Sequence, residues 1–417
     1  MTEEEKRQEE CASGVVDEAA EAADGAEDAP RVKDPASIGA ASEASADLRI
    51  RALRFDDFRS YEHFELENVG DLTVFVGPNA SGKTNAVEGI QLLTAFGSFR
   101  GAKSKELIRW GADQAILRAR LLSDVRDLDV RHVLQPGHRS CLLNGKRKTV
   151  QDMQGVLPSV TFSPDDLVLV KGAQTHRRAA LDLLGCQLSR SHRILKRDYE
   201  RIARHKNALL RDGADPLLLM SVDDMMAAPA VQLYLYRSAL FRNLSARIAE
   251  AYASITQGEE KVEMGYVPSW EDESVKQAAS WAPMRLEYDK AQAFEAFNAA
   301  LDARRAEEAA RKRACVGPHA DRIEFFIDGR NAALYASQGQ QRSLVLAWKI
   351  AEVGLVREMA GVRPVLLLDD VMSELDASRR HALVSLLRQD IQTFITTTET
   401  AFFEDDIIER ANVVRLG

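Results

Sequence analysis

Residues 72–84 read LTVFVGPNASGKT, and the next twelve continue NAVEGIQLLTAF. Leu72 to Gly77 is a short apolar run closed by glycine, which predicts a buried strand. Val87, Ile90, Leu92 and Leu93 fall at helical spacing, which predicts a helix after it. Between them Gly77, Pro78, Asn79, Ala80, Ser81, Gly82, Lys83 and Thr84 fit the pattern GxxxxGK[ST], and the strand-loop-helix context is what gives that pattern its meaning. Glycines let the backbone curl so that several N–H groups face one phosphate, and the helix N-terminus adds its dipole in favour of the same anion. Lys83 is then placed to reach the β- and γ-phosphates of a nucleotide, and the Thr84 hydroxyl to ligate Mg2+. A plain glycine turn is the simpler reading, and the flanking elements argue against it.

A complementary half lies far downstream. PVLLLDD, Pro364 to Asp370, predicts another buried strand, and a parallel strand ending in acids puts carboxylates at the edge where nucleotides bind. Asp369 is expected to hold magnesium, and Asp370 to orient or polarise the attacking water as the catalytic group. A third element, Ser337, Gln338, Gly339 and Gln340, opens a stretch in which Leu344, Ala347, Ile350 and Ala351 share one side of a helix. Serine and glycine at a helix start form a second anion-binding corner. Since the first loop already accounts for one nucleotide, this corner makes sense if it closes the nucleotide of a second copy. A capped helix with polar decoration is the alternative.

The chain has 417 residues, 45% hydrophobic and 29% charged, as expected of a soluble globular protein of two or three domains. Neither a secretion signal nor an apolar run of roughly 20 residues is present, so a cytoplasmic protein without membrane contact is expected. Cys11, Cys141, Cys186 and Cys315 lie far apart, without metal-site spacing, and read as reduced thiols. The net charge of −9 is uneven: residues 1–48 carry 14 Asp and Glu against 4 Lys and Arg, leaving +1 for the remainder. That opening segment is poor in large apolar residues and reads as a disordered acidic tail, either plain spacer or a competitor of nucleic acid for a basic surface.

Residues 49–174 and 313–417 carry the strand-like and nucleotide signals, as two segments of one head. Within them LRIRALRFDDFRSYEHFELE alternates like two strands joined by a turn, Asn144-Gly145 marks a hairpin, and QTFITTT with NVVRL is expected to close the sheet. Residues 175–312 are helical in pattern, with Leu181, Leu184, Leu188, Leu195, Ile202 and Leu209 in register, and read as an inserted arm lobe. An irregular stretch carrying Pro268, Trp270, Trp281 and Pro283 interrupts it.

Taken together, the phosphate loop, SQGQQR and LLLDDVMSELD resemble the ABC-type P-loop ATPase heads of the SMC class, and more narrowly the RecF family. LRFDDFRSY, FSPDDLVLVKG with Arg177, Arg178, Leu181 and Asp182, KNALLR (Lys206 to Arg211) and GPHADRIEFFIDGR are similar to that family in order and spacing, from about residue 49 to the C-terminus. The resemblance implies an α/β head with a mixed sheet and an inserted helical arm. It also implies an ATP-dependent homodimer that binds double-stranded DNA and gapped or single-stranded junctions, hydrolyses ATP slowly and helps load recombination proteins. By motif, Ser337 and Gly339 would touch the partner's nucleotide, and Ser373 and Asp376 would lie on a loop crossing between heads. Thr396-Thr397-Thr398 stands where transporter heads carry a switch histidine, which argues against a transporter.

Local charge supports DNA contact. Residues 177–211 hold ten Arg and Lys against three acids, and Arg190, Arg193, Arg197, Arg201 and Arg204 recur at three- and four-residue steps, so they fall on one helix side. A solvated face paired with acids is the bland alternative. His319 is either near the nucleotide or a buried structural histidine. Two competing functions remain at this stage: a nucleotide-bound adaptor without significant catalysis, and an SMC-like defence ATPase. The latter is disfavoured by the short insert and the lack of a nuclease-type acidic cluster.

Overall fold

The alternating opening residues form the strand pair their pattern predicts. In the computed structural model, which describes residues 47–271, 288–400, 403 and 405–417, β1 (Arg49–Phe58) and β2 (Tyr61–Glu67) are antiparallel with Phe58 opposite Tyr61. The acidic tail, up to residue 46, lies outside the described residues, as do Trp281 and Pro283. β3 (Leu72–Val76) leads into α1 (Lys83–Thr94), followed by β4 (Ala115–Leu122), β5 (Asp127–Gln135), β6 (His138–Leu143), β7 (Lys146–Lys148) and β8 (Ser159–Phe162). Asn144 and Gly145 form the two-residue turn between β6 and β7 with φ of 50° and 74°, the paired positive values that a type I′ hairpin requires.

Helices then take over: α2 (Gln174–Leu188), α3 (Arg190–Asp212), α4 (Pro216–Ile255) and, after β9 (Val262–Val267), α5 (Lys290–Arg311). The chain returns through β10 (Arg322–Ile327), β11 (Arg330–Asn331), α6 (Gln338–Ala360), β12 (Val365–Asp369), α7 (Ala377–Leu387), β13 (Thr393–Thr397) and β14 (Asn412–Arg415). Parallel and antiparallel pairing separate into different sheets. β14-β3-β13-β12-β8 is parallel throughout, β2-β1-β4-β5-β6-β7 is antiparallel, and β11-β10-β9 is a small third sheet.

Two sequence expectations change here. QTFITTT does not close the sheet: β13 is its centre, between β3 and β12, and of the two segments expected to close it only NVVRL, as β14, lies at an edge. All five of its residues are buried, as a central strand covered on both faces must be. RIEFFI does not join the head sheet either. It pairs with β9, a strand that ends just before the irregular stretch carrying Pro268 and Trp270, so the small sheet straddles the 312/313 limit between arm and head.

The helix α1 lies between the first two sheets, where Val87, Ile90, Phe55, Phe75, Leu117 and Phe394 share one core. The second core joins β12 and β13 to α4, α5 and α6. Inside the arm lobe an ionic network is set into this apolar packing. Arg237 grips Asp182 with two hydrogen bonds of 2.8 and 2.7 Å, and His192 approaches the same carboxylate at 3.1 Å. Burial works to raise the Asp182 carboxyl, but Arg237 and His192 overcome it and hold it well below the usual carboxylate range. Lys206, 1% exposed, pairs with both Asp223 and Glu308 at 2.6 Å. Removing one partner of such a buried pair leaves an uncompensated charge, at a cost of about 3–5 kcal/mol.

His132 on β5 links the antiparallel sheet to α1, its Nδ1 lying 3.2 Å from the Leu92 carbonyl while Nε2 is buried without a partner. Burial, with the Arg139 charge adding, pushes it down to about 4. The unfolded chain, with an ordinary histidine near about 6.5, binds more protons between those values, so its contribution to stability falls by about 3 kcal/mol as pH drops through that window. Asp321, pushed up to about 6 by burial, acts in the opposite sense. Its effect is common to wild type and His132→Gln. Urea unfolding at a series of pH values should therefore show a shallower acid decline for His132→Gln, the difference confined between about pH 6.5 and pH 4.

Candidate functional site

Parallel strands open their carboxyl ends at one edge of a sheet, where ligands of such sheets bind. β3 delivers residues 77–84 to that edge and β12 delivers Asp369 and Asp370, with β13 between them. The loop is tightly confined. A Cβ at Gly77 would stand 2.1 Å from the Leu416 carbonyl oxygen, and Gly82, at the N-cap of α1, has φ of 98°. The Tyr61 hydroxyl donates to the Gly82 carbonyl at 3.0 Å and Asn85 donates to Ser60 at 2.9 Å, so the β1–β2 turn braces the start of α1. Lys83 arches back over the loop, donating to the carbonyls of Gly77 and Pro78, each at 2.7 Å.

Thr84 and Asp369, 285 positions apart, meet in a hydrogen bond of 3.0 Å from the threonine hydroxyl to Oδ1. The Thr396 hydroxyl donates to the same oxygen at 2.7 Å and accepts from the Asp370 N–H at 2.9 Å. Burial raises the Asp369 carboxyl above its ordinary value, the two hydroxyls oppose that rise, and the neighbouring Asp370 charge adds to it. Asp370 itself has φ of 52°, and its Oδ1 is buried with no hydrogen-bond partner, as is the Ser81 Oγ on the loop. The pocket thus combines a cationic ammonium, a ring of backbone at a helix N-terminus, and two adjacent carboxyls with no ion-pair partner among the described residues. Such a set suits a phosphate chain carrying a hard divalent ion. Among the described residues no three His, Cys, Asp or Glu side chains cluster as a self-sufficient metal site.

The second corner forms as a capping box. Ser337 accepts from the Gln340 N–H at 3.2 Å, and the Gln340 side chain accepts from the Ser337 N–H at 2.8 Å. Ser337, Gly339 and Gln340 line a cavity of about 330 Å³ with Glu260, Asp376 and Arg379, and no residue of the 77–84 loop takes part in it. Asp376 caps α7 by accepting from the Arg379 N–H at 3.0 Å, and Ser373 donates to the Asp370 carbonyl at 3.0 Å.

Residues 49–414 match the family RecF/RecN/SMC N terminal domain. The chain is 33% identical to the DNA replication and repair protein RecF of Heliobacterium modesticaldum, over 88% of this chain and 97% of that one. It is 34% identical to the protein of the same name from Myxococcus xanthus, over 84% and 91%. The chain belongs to the RecF family. Its fold is similar to that of the recombination mediator protein RecF-ATP in the RecFOR pathway, with a TM-score of 0.78 at 26% identity, over 87% of this chain and 95% of that one.

Several of the RecF-like stretches prove to hold the arm to the head. Arg177, 2% exposed, donates to the carbonyls of Leu169, Val170 and Ile323 and lies over the Phe325 ring. His319 is the structural histidine of the two readings: the Tyr199 hydroxyl meets its Nδ1, and Nε2 stands 3.1 Å from the Ala314 carbonyl. Burial lowers its pKa, in keeping with a neutral ring. Of the five arginines of the expected stripe on α3, Arg190, Arg197, Arg201 and Arg204 are exposed. Arg193 departs from the stripe, half-buried and donating to the Cys186 carbonyl.

Sequence reasoning named Thr396 only as part of a threonine run in place of a switch histidine, not as the residue that holds both acids, and it did not single out Arg379, which stands 3.0 Å from a Cβ at Gly339 and donates to Ser343 at 2.8 Å. The signal for Thr396 was there, as a hydroxyl at the end of a buried apolar strand. Replacing Thr396 by valine removes the donor to a buried carboxylate and should lower the unfolding free energy by about 1–3 kcal/mol, with Thr396→Ser retaining most of it. Urea titration of the two variants checks this, and equal midpoints for valine and serine would contradict it.

Proposed function

We propose that this chain is an ATP-dependent DNA-binding protein of recombinational repair and replication restart, in which ATP joins two copies and slow hydrolysis lets them part. Gly77 to Thr84 hold the phosphates, with Lys83 exchanging the carbonyls of Gly77 and Pro78 for β- and γ-phosphate oxygens. Thr84 and Asp369 would hold Mg2+, which supplies neutralisation of charge between the phosphates; their contact and the partnerless oxygen on Asp370 fit that group. Asp370 orients the attacking water. Its backbone is fixed on both sides, N–H to Thr396 and carbonyl to Ser373, which leaves the carboxylate available.

Ser337, Gln338, Gly339 and Gln340 of a second copy seal the nucleotide, and Ser373 and Asp376 lie on the loop that crosses between copies. The cavity at that corner excludes the chain's own phosphate loop, which supports a role toward another molecule's nucleotide. ATP then favours the closed dimer by differential binding, and hydrolysis works as a timer. The dimer engages double-stranded DNA and gapped or single-stranded junctions and helps load recombination proteins. The family's names as DNA replication and repair proteins, and the RecF-ATP neighbour in the RecFOR pathway, support this reading. The observation that carries it is the convergence of Lys83, Thr84, Asp369 and Asp370 at one sheet edge.

Lys83→Ala should weaken ATP binding roughly tenfold to a hundredfold and lose ATP-induced dimerisation and stable DNA binding with it. Sedimentation with and without ATP reads this directly, and undiminished dimerisation would reject the clamp. Asp370→Asn should still bind ATP and dimerise, with phosphate release slowed by roughly 10²–10⁴. A wild-type chain whose turnover, with gapped DNA present, does not exceed that of Asp370→Asn would instead be a nucleotide-bound adaptor.

A further inference from the structure

The exposed cations of α3 do not stand alone. β7 is the free edge of the six-stranded sheet, and all three of its residues, Lys146, Arg147 and Lys148, are exposed. The one-turn helix Val150–Met153 follows directly and packs against α3: Asp152 lies 3.6 Å from Arg190, and Gln151 accepts from Arg197 at 3.1 Å. Two basic surfaces that are distant in sequence are thereby brought side by side, one on the head and one on the arm. Residues 146–153 and 190–212 together hold eleven Lys and Arg against four Asp and Glu.

Two of those eleven are withdrawn from the surface. Arg193 turns to the Cys186 carbonyl, and Lys206 is buried in its carboxylate pair. Lys146, Arg147, Lys148, Arg201 and Arg204 have no carboxylate at ion-pair distance among the described residues. Arg190 has Asp152 at 3.6 Å; Arg197 is bound to half-buried Asp198 at 3.0 Å and to Gln151 at 3.1 Å, yet both guanidinium groups stay exposed. A charged edge strand also deters sheet-to-sheet association, which accounts for β7 by itself. It does not account for the matching stripe on the helix beside it.

We infer that β7 and the outer face of α3 form one docking surface for the phosphate backbone of duplex DNA, with Lys146, Arg147, Lys148, Arg190, Arg197, Arg201 and Arg204 as its contacts. This rests on the functional reading above and adds to it the face that meets DNA. From Arg190 to Arg204 the helix advances about 21 Å, the length of roughly six base pairs at 3.4 Å each. The strand and the outer face of the helix together offer these seven cations, and the one tyrosine of α3, Tyr199, is buried away from them. That composition suits sequence-independent phosphate contact rather than the reading of unstacked bases.

The test is anisotropy of a labelled duplex with the full chain and a slowly hydrolysed ATP analogue, across a salt series. Two triple variants are compared with wild type: Lys146→Gln/Arg147→Gln/Lys148→Gln, and Arg197→Gln/Arg201→Gln/Arg204→Gln. Each should flatten the slope of log K against log salt by about 2 to 3 and weaken binding at least tenfold at about 100 mM salt. ATP affinity measured without DNA should not change. The charge-preserving exchange Lys146→Arg/Arg147→Lys/Lys148→Arg should keep the wild-type slope. A wild-type slope in the first triple would remove β7 from the surface and overturn the inference while leaving the functional reading intact. A wild-type chain that binds no duplex at all would overturn the functional reading itself.

Discussion

One carboxylate oxygen, Asp369 Oδ1, receives hydroxyls from Thr84 at 3.0 Å and from Thr396 at 2.7 Å, and the arrangement of the head follows from making that meeting possible. The three residues end three successive strands or begin the helix after one of them, in the spatial order β3, β13, β12. Only parallel strands in register bring those ends to one level, and parallel strands require long crossovers. The intervening helices, including the whole arm, are part of those crossovers. Burial raises the Asp369 carboxyl, so the two hydroxyls are what keep an anionic ligand group in a place that disfavours charge.

From the acids a continuous run of hydrogen bonds reaches the second corner. The Asp370 carbonyl accepts from Ser373, the Glu374 carbonyl accepts from Arg342 at 2.8 Å, and Arg342 lies one turn into α6, whose N-cap is Ser337. Arg379 closes the loop by joining Asp376 to Ser343. Chemistry at the sheet edge and the shape of the corner therefore share a short hydrogen-bonded segment, residues 370–379. A change in what Asp370 contacts has a direct mechanical route to the face proposed to meet a second copy.

The strand-loop-helix at 72–94 and the strand at 365–369 were legible because each is a local pattern with a fixed chemical purpose. So were the Asn144-Gly145 turn and the capped start of α6, where a few residue types decide the backbone. What was not legible was order across the sheet. TFITT has the same apolar character at a centre or an edge, and only its parallel pairing with both β3 and β12 puts it in the middle. β9 was hidden for a related reason: a six-residue strand whose partner is β10, beyond α5, carries no sign of that partner in its own residues.

Charge in the arm shows the limit of a count most plainly. Residues 177–211 present ten cations, yet Arg177 and Lys206 are buried and Arg193 is turned inward, so the same stretch serves two unrelated ends. Helical spacing separates them only in part. Arg193 sits three residues from Arg190 and four from Arg197, as a member of the stripe should, but a free carbonyl at the end of α2 lies within its reach. Inward cations satisfy carbonyls and carboxylates that the arm and its junction with the head would otherwise leave bare; among the outward ones, Arg201 and Arg204 meet no carboxylate at ion-pair distance among the described residues. Groups that folding does not need, gathered on two elements that folding brings together, are where a partner's charge has the most to add.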